Sequence, residues 1–149
     1  MGYKENFLEE VTKLSNRNSD WDYIRLEWKL YKIKLNDKKT KCICKHNIEN
    51  VCLMKNVLNG NIIKVGNCCL KKFFNIDYSY LIKDIKNLEL YSDSSISKKT
   101  LDFLHQENIV NDWEYTFYLD LRRRKSLTKK QLNKFININN KFTKAILTS

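Results

Sequence analysis

The chain has 149 residues, of which 42% are hydrophobic and 30% are charged, and its formal net charge is +11. This size suits one domain or two small modules, and the apolar content excludes a chain that is disordered throughout. No apolar run approaches the roughly 20 residues of a membrane-spanning helix, and the first residues lack the apolar stretch of a signal peptide. We therefore expect a soluble intracellular protein that is not secreted and does not act at membranes.

The first half of the chain predicts a mixture of helices and strands. Residues 3–15 place their apolar side chains at helical spacing. Within residues 26–35 the apolar side chains alternate with lysines, which is typical of a strand with one polar face. Residues 50–66 alternate on both sides of Asn59-Gly60. They predict a β-hairpin, because both residues of an Asn-Gly pair tolerate the positive φ angles of a tight turn.

The second half of the chain predicts helices only. Each of four segments carries a periodic apolar face, and three of them follow a residue that caps helix N-termini well. The segments are 79–91, 97–107, 111–123 and 128–147, and the caps are Ser97, Asn111 and Thr128. The predicted fold class is therefore α+β, with a small β-hairpin module followed by an α-helical C-terminal part. We divide the chain into N-terminal helices (1–26), a central module (27–77) and a helical module (78–149).

The five cysteines are confined to the central module. They are Cys42, Cys44, Cys52, Cys68 and Cys69. In an intracellular chain, clustered cysteines indicate metal binding more often than disulfides. Free cysteines buried in a small core would give the same composition, and this alternative stays open at the level of sequence.

The spacing of these cysteines favours a structural zinc site. Zinc takes four thiolate or imidazole ligands in a tetrahedron. Cys42 and Cys44 lie in a predicted turn after a strand, and Cys69 lies where a helix is predicted to begin. The fourth ligand is either His46 or Cys52. Cys68 is not expected to join Cys69 on one ion, because neighbouring residues on a helix point about 100° apart.

Several short motifs in this region together resemble a known type of module. They are Glu27-Trp28, Cys42-Ile43-Cys44-Lys45-His46, Ile48, Asn56, Asn59-Gly60 and Val65-Gly66-Asn67-x-Cys69-Leu70-x-Lys72-Phe73. This pattern resembles a small zinc-finger-like module of uncharacterised proteins of large DNA viruses and phages, over about residues 27–74. The resemblance implies metal binding in a viral protein, located in the host cytoplasm or the virion. Lys45 stands where that module usually has glycine, and the chain has both of the alternative fourth ligands.

A second and weaker resemblance covers residues 111–141. It is carried by Trp113, Phe117, Leu127-Thr128-x-Lys130-Gln131 and Lys141. These residues resemble a pair of helices found in phage and viral proteins of nucleic-acid metabolism.

Positive charge is concentrated in two blocks. Residues 29–72 hold 11 basic and 2 acidic side chains, and residues 122–149 hold 9 basic and none that are acidic. Such blocks are typical of surfaces that bind polyanions, although a lysine-rich solvated surface would look the same. The candidate contacts to nucleic acid are Lys71, Lys72, Arg122, Arg123, Arg124, Lys125, Lys129 and Lys130.

These features predict a non-enzymatic protein. Glu49 is the one acid within the cysteine cluster, and the sequence contains no phosphate-binding loop, dinucleotide fingerprint or His-Glu-x-x-His motif. We expect a zinc-binding protein that binds DNA or RNA through basic surfaces with little sequence specificity. The alternative is a protein–protein adaptor of viral or phage origin, in which structural zinc stabilises a module too small to bury a sufficient core.

Overall fold

Residues 2–148, apart from the side chain of Tyr3, are described by a computed structural model. The fold is α+β, with helices at the C-terminal end, as predicted. The chain forms two units: the first contains the residues up to Tyr78 together with Thr148, and the second is Ser79–Leu147.

The first unit combines short helices with a four-stranded sheet and a small hairpin. Its elements are α1 (Tyr3–Leu14), α2 (Trp21–Ile24), a 3₁₀ turn (Arg25–Glu27), β1 (Trp28–Lys34), β2 (Thr40–Lys41), β3 (Asn47–Ile48), β4 (Val51–Asn56), β5 (Ile62–Val65) and α3 (Asn67–Cys69). Helix α3 continues directly into a π-helical turn, Leu70–Phe74. The sheet order is β5-β4-β1-β6, where β6 is Leu147–Thr148, and β2 pairs with β3 separately.

Strand β4 pairs antiparallel with both β1 and β5. The predicted hairpin of residues 50–66 is confirmed, but its turn is wider than the tight turn that we expected. Asn56 N–H donates to the Asn61 carbonyl over 2.8 Å, so several residues separate the strands. Of the Asn59-Gly60 pair only Gly60 has a positive φ, 80°. The Asn59 side chain instead donates to the Leu14 carbonyl over 3.0 Å, which ties this loop to helix α1.

A buried carboxylate joins the N-terminal helices to the sheet. Glu27 is 3% exposed and accepts hydrogen bonds from Asn56 Nδ2 at 2.8 Å and from the backbone N–H groups of Asn16 at 2.7 Å and Arg17 at 3.1 Å. Burial alone would raise the pKa of Glu27, but these hydrogen bonds outweigh it, so the pKa lies below its ordinary value. The carboxylate therefore fixes the loop after α1 against the sheet.

An aromatic cluster packs α1 against the helix that supplies Cys69. Phe7 is fully buried and stacks on Phe73, with ring centroids 4.6 Å apart. Trp21 packs edge-on against Phe74 at 5.1 Å, and its indole N–H donates to the Phe73 carbonyl over 2.7 Å. This packing holds the turn after α3 in place through apolar burial and one directed hydrogen bond.

The second unit is helical. Its helices are α4 (Ser79–Leu90), α5 (Lys98–Gln106), α6 (Asp112–Leu121) and α7 (Lys129–Ile146). The three predicted N-caps are confirmed, since the side chains of Ser97, Asn111 and Thr128 each accept a hydrogen bond from the first turn of the following helix. Within residues 2–148, no helix combines the length and the apolar character that a membrane crossing requires.

Candidate metal centre

Cys42 and Cys44 lie in the turn that joins β2 to β3. Cys42 N–H donates to the His46 carbonyl over 2.8 Å, and Lys45 N–H donates to the Cys42 carbonyl over 2.8 Å. Lys45 has a φ of 81°, a left-handed conformation that favours glycine. The turn is thus tight enough to project two cysteine side chains, spaced by one residue, from the same loop.

Cys69 comes from α3, which begins immediately after Gly66. Two hydrogen bonds hold the start of this helix and the preceding strand β5 against the turn that contains the other two cysteines. Gly66 N–H donates to Cys42 Sγ over 3.4 Å. Ile43 N–H donates to the Lys64 carbonyl over 2.9 Å, which ties the same turn to strand β5. A side chain at position 66 would collide with Ile48, so glycine allows this close approach.

The sulfur atoms of Cys42, Cys44 and Cys69 all lie within 4.8 Å of one another, and the three residues are buried. Cys44 Sγ and Cys69 Sγ are 3.4 Å apart. Two sulfurs bound to one zinc ion in a tetrahedron lie about 3.8 Å apart, given Zn–S bonds of about 2.3 Å. Small side-chain movements would therefore place the three sulfurs around one metal ion.

The surroundings favour negative charge on Cys42. A hydrogen bond from the Cys69 thiol lowers the pKa of Cys42 to about 5, against the opposing effect of burial, with further help from the N–H groups of Cys44 and Gly66. The same hydrogen bond raises the pKa of Cys69, because this thiol donates its proton to Cys42. The site thus stabilises a thiolate, the form in which cysteine binds metals.

The two candidates for the fourth ligand occupy different environments. His46 is exposed at the end of the cysteine turn, and its Nδ1 lies 3.4 Å from Cys44 Sγ. Cys52 is fully buried on strand β4 between Ile33 and Val65 of the adjoining strands, and burial raises the pKa of its thiol to about 12. Neither belongs to the group of three whose ligand atoms are mutually close. Cys68 is exposed.

A cleft of about 550 Å³ opens over the three cysteines. Its lining includes His46, Lys72 and Phe73, and also Lys4 from helix α1. Sequence analysis did not link Lys4 to this site, because no local pattern connects a residue of the first helix to a turn near position 44. The cleft opens the three-cysteine group toward a surface that carries two lysines.

The predicted nucleic-acid contacts are distributed over both units. Lys71 and Lys72 are exposed on the π-helical turn after Cys69. In the second unit Arg122 is half-buried, and its Nε donates to the Ile96 carbonyl over 3.2 Å. Arg124 pairs with Asp120 at 3.2 Å. The remaining four are exposed: Arg123, Lys125, Lys129 and Lys130. Part of the C-terminal basic block therefore serves the structure of its own unit.

Comparison of the chain with protein-family models, with curated proteins and with solved structures finds no match.

Proposed function

We propose that this protein holds one structural zinc ion and binds nucleic acid through its basic surfaces. The observation that carries the metal proposal is the group formed by Cys42, Cys44 and Cys69, three buried sulfurs that could hold one ion. The donor set supports zinc, because thiolates with at most one imidazole are the ligands of structural zinc sites.

We propose His46 as the fourth ligand. In a tetrahedral site an imidazole nitrogen and a thiolate sulfur lie about 3.5 Å apart, given bonds of about 2.0 and 2.3 Å. The 3.4 Å between His46 Nδ1 and Cys44 Sγ agrees with that spacing. Rotation of an exposed side chain would bring the ring toward the other two sulfurs. Cys52 would have to leave the interior of the sheet, where its buried thiol resists ionisation.

The role of the ion in this proposal is to hold the cysteine turn against α3. The turn is linked to α3 and β5 by a few hydrogen bonds, and the strands that it joins, β2 and β3, have only two residues each. A module of this size gains much of its folding free energy from a bound metal. We propose a binding protein that catalyses no reaction.

Charge supports the nucleic-acid part of the proposal. Residues 29–72 carry 11 of the basic side chains and surround the metal centre in the sequence. Lys72 lines the cleft over the cysteines. Lysines that neutralise phosphates release counterions, so binding should weaken steeply with salt and depend little on base sequence.

Elemental analysis of the purified protein tests the metal proposal. We expect about one zinc per chain in the wild type and in Cys68→Ser, the matched control at an exposed neighbouring cysteine. Cys42→Ser and Cys69→Ser should lose the metal and part of their far-ultraviolet circular dichroism. A wild type that holds well under one zinc per chain, and whose fold resists a chelator, would overturn the proposal.

A further inference from the structure

The outward-facing side of the sheet in the first unit is rich in lysine. In the pairing register Lys29 stands opposite Lys55, which stands opposite Ile62. In the next outward row Lys32, Leu53 and Lys64 are aligned. Alternate residues of β4 and β5, such as Met54 and Ile63, are buried on the other side. We call the outward set, with Tyr31, the lysine–tyrosine face. Lys32 and Leu53 are half-buried members of it, and its exposed members are Lys29, Tyr31, Lys55, Ile62 and Lys64.

Tyr31 is placed on this face by a β-bulge. Leu30 pairs with Met54 and Lys32 pairs with Leu53, so Tyr31 is an extra residue with no partner on β4 in the register. A bulge redirects a side chain and interrupts regular pairing, and bulges are common next to functional sites. Tyr31 is 41% exposed, and it lies beside Lys32 and Lys55.

Two lysines hold their ammonium groups over the tyrosine ring. Lys55 Nζ lies 5.1 Å from the ring centroid, and Lys32 Nζ lies 5.5 Å from it. This arrangement joins a flat aromatic surface to two cations within a few ångströms. A nucleobase that displaces these ammonium groups from the ring face can stack there, and the displaced lysines can then contact the phosphates on either side of it.

The positive charges of the lysine–tyrosine face should destabilise the sheet when no ligand is bound to it. Lys29 and Lys55 are directly opposite each other on neighbouring strands. Like charges in this position destabilise a sheet. None of the seven members of the lysine–tyrosine face is acidic. An anion bound here would relieve the repulsion, and a polyanion would do so along the whole face.

We propose that the lysine–tyrosine face binds single-stranded nucleic acid, with one base stacked on Tyr31 and phosphates held by Lys29 and Lys55. The inference rests on the proposed nucleic-acid function and assigns it a site that sequence analysis did not select. Single strands are favoured over duplexes because stacking on a protein ring requires an unpaired, accessible base.

Fluorescence anisotropy with labelled oligonucleotides of about 12 nucleotides tests this site. The probes are oligo(dT), an RNA of mixed sequence and a DNA duplex, at about 50 and 200 mM salt. We expect Tyr31→Ala to weaken single-strand binding about tenfold and Tyr31→Phe to retain it. The double variant Lys29→Gln/Lys55→Gln should flatten the salt dependence by about 1.4 log–log units for two lost phosphate contacts.

The matched control is Lys83→Gln/Lys86→Gln, which removes two exposed lysines of helix α4 and should leave binding unchanged. If the wild type binds none of the probes at low salt, the proposed nucleic-acid function fails, and the assignment of this face fails with it. If the wild type binds but the variants of the face behave like the control, only the assignment of this face is overturned. Equal affinity for the duplex and the single strands would also overturn it.

A second measurement keeps the test independent of any substitution. Ultraviolet cross-linking of the wild type to labelled RNA, followed by digestion and mass spectrometry, should give a cross-link on the peptide that contains Tyr31. Cross-links confined to other peptides would contradict the proposal even where a variant fails to fold.

Discussion

Gly66 and Ile48 approach so closely that a Cβ atom at position 66 would lie 2.9 Å from Ile48 Cγ2. That methyl group belongs to a β-branched side chain, which moves only by changing its χ1 rotamer. Gly66→Ala should therefore lower the free energy of unfolding by about 1–3 kcal/mol. Urea denaturation of the metal-loaded protein measures the loss.

The Ile48→Ala variant provides the matching double-mutant cycle. With the methyl group removed, Gly66→Ala should cost much less than in the wild-type background. An equal cost in both backgrounds would mean that the glycine is needed for another reason than the contact with Ile48.

Replacing Lys45 by glycine should stabilise the folded protein. Its φ of 81° is costly for a residue with a side chain, and glycine adopts it without strain. Lys45→Gly should therefore raise the free energy of unfolding by about 1 kcal/mol. Lys45→Ala is the control, because it removes the same charge but keeps a Cβ atom. Equal effects of the two variants would assign the change to charge instead of backbone conformation.

Glu27 should make stability depend on pH. Its pKa in the folded protein lies below the ordinary value of 4.5, so its contribution is fully present above that pH. The contribution is lost as the pH falls from 4.5 through the lower pKa of the folded state. Glu27→Gln should cost about 2 kcal/mol at neutral pH and progressively less in acid.

The free energies of unfolding in acid must be compared between wild type and variant, because loss of the proposed zinc ion at low pH would destabilise both proteins. The difference between their free energies of unfolding, measured by urea denaturation at several pH values, isolates Glu27. A difference that stays constant down to strongly acidic pH would contradict the assigned role of its hydrogen bonds.

The fourth ligand can be decided by metal affinity. His46→Ala should weaken zinc binding by at least about tenfold in a chelator competition, because one bond to the ion is lost. Cys52→Ala should leave the affinity almost unchanged while lowering stability through the cavity that it creates in the sheet. The opposite ranking of the two variants would identify Cys52 as the ligand.

Features set by neighbouring residues were predictable from the sequence. Helix caps such as Ser97 and Thr128 depend on side chains within one turn, and the hairpin depends on alternation around one loop. The proximity of Cys42 and Cys44 likewise follows from a single turn. These features need only local information, which the order of residues contains.

Features set by packing between distant segments were not predictable. The bulge at Tyr31 arises from the register of two strands, and the lining of the cleft by Lys4 arises from the docking of α1. The hydrogen bond from Arg122 Nε to the carbonyl of Ile96, 26 positions earlier in the chain, is a third such feature, and the predicted phosphate contact of Arg122 stays a prediction. Register and docking depend on how whole surfaces fit, and no short motif encodes them.

The separation of 25 positions between Cys44 and Cys69 has a consequence for the order of assembly. The intervening chain contains β4 and β5, and an unfolded loop of this length closes only against a substantial entropic cost. Once the hairpin has formed, the two sulfurs are held near each other and the remaining search is short. The rate at which the chain captures a metal ion should therefore report on hairpin formation, and a slow-folding variant of β4 or β5 should load slowly even with all its ligands intact.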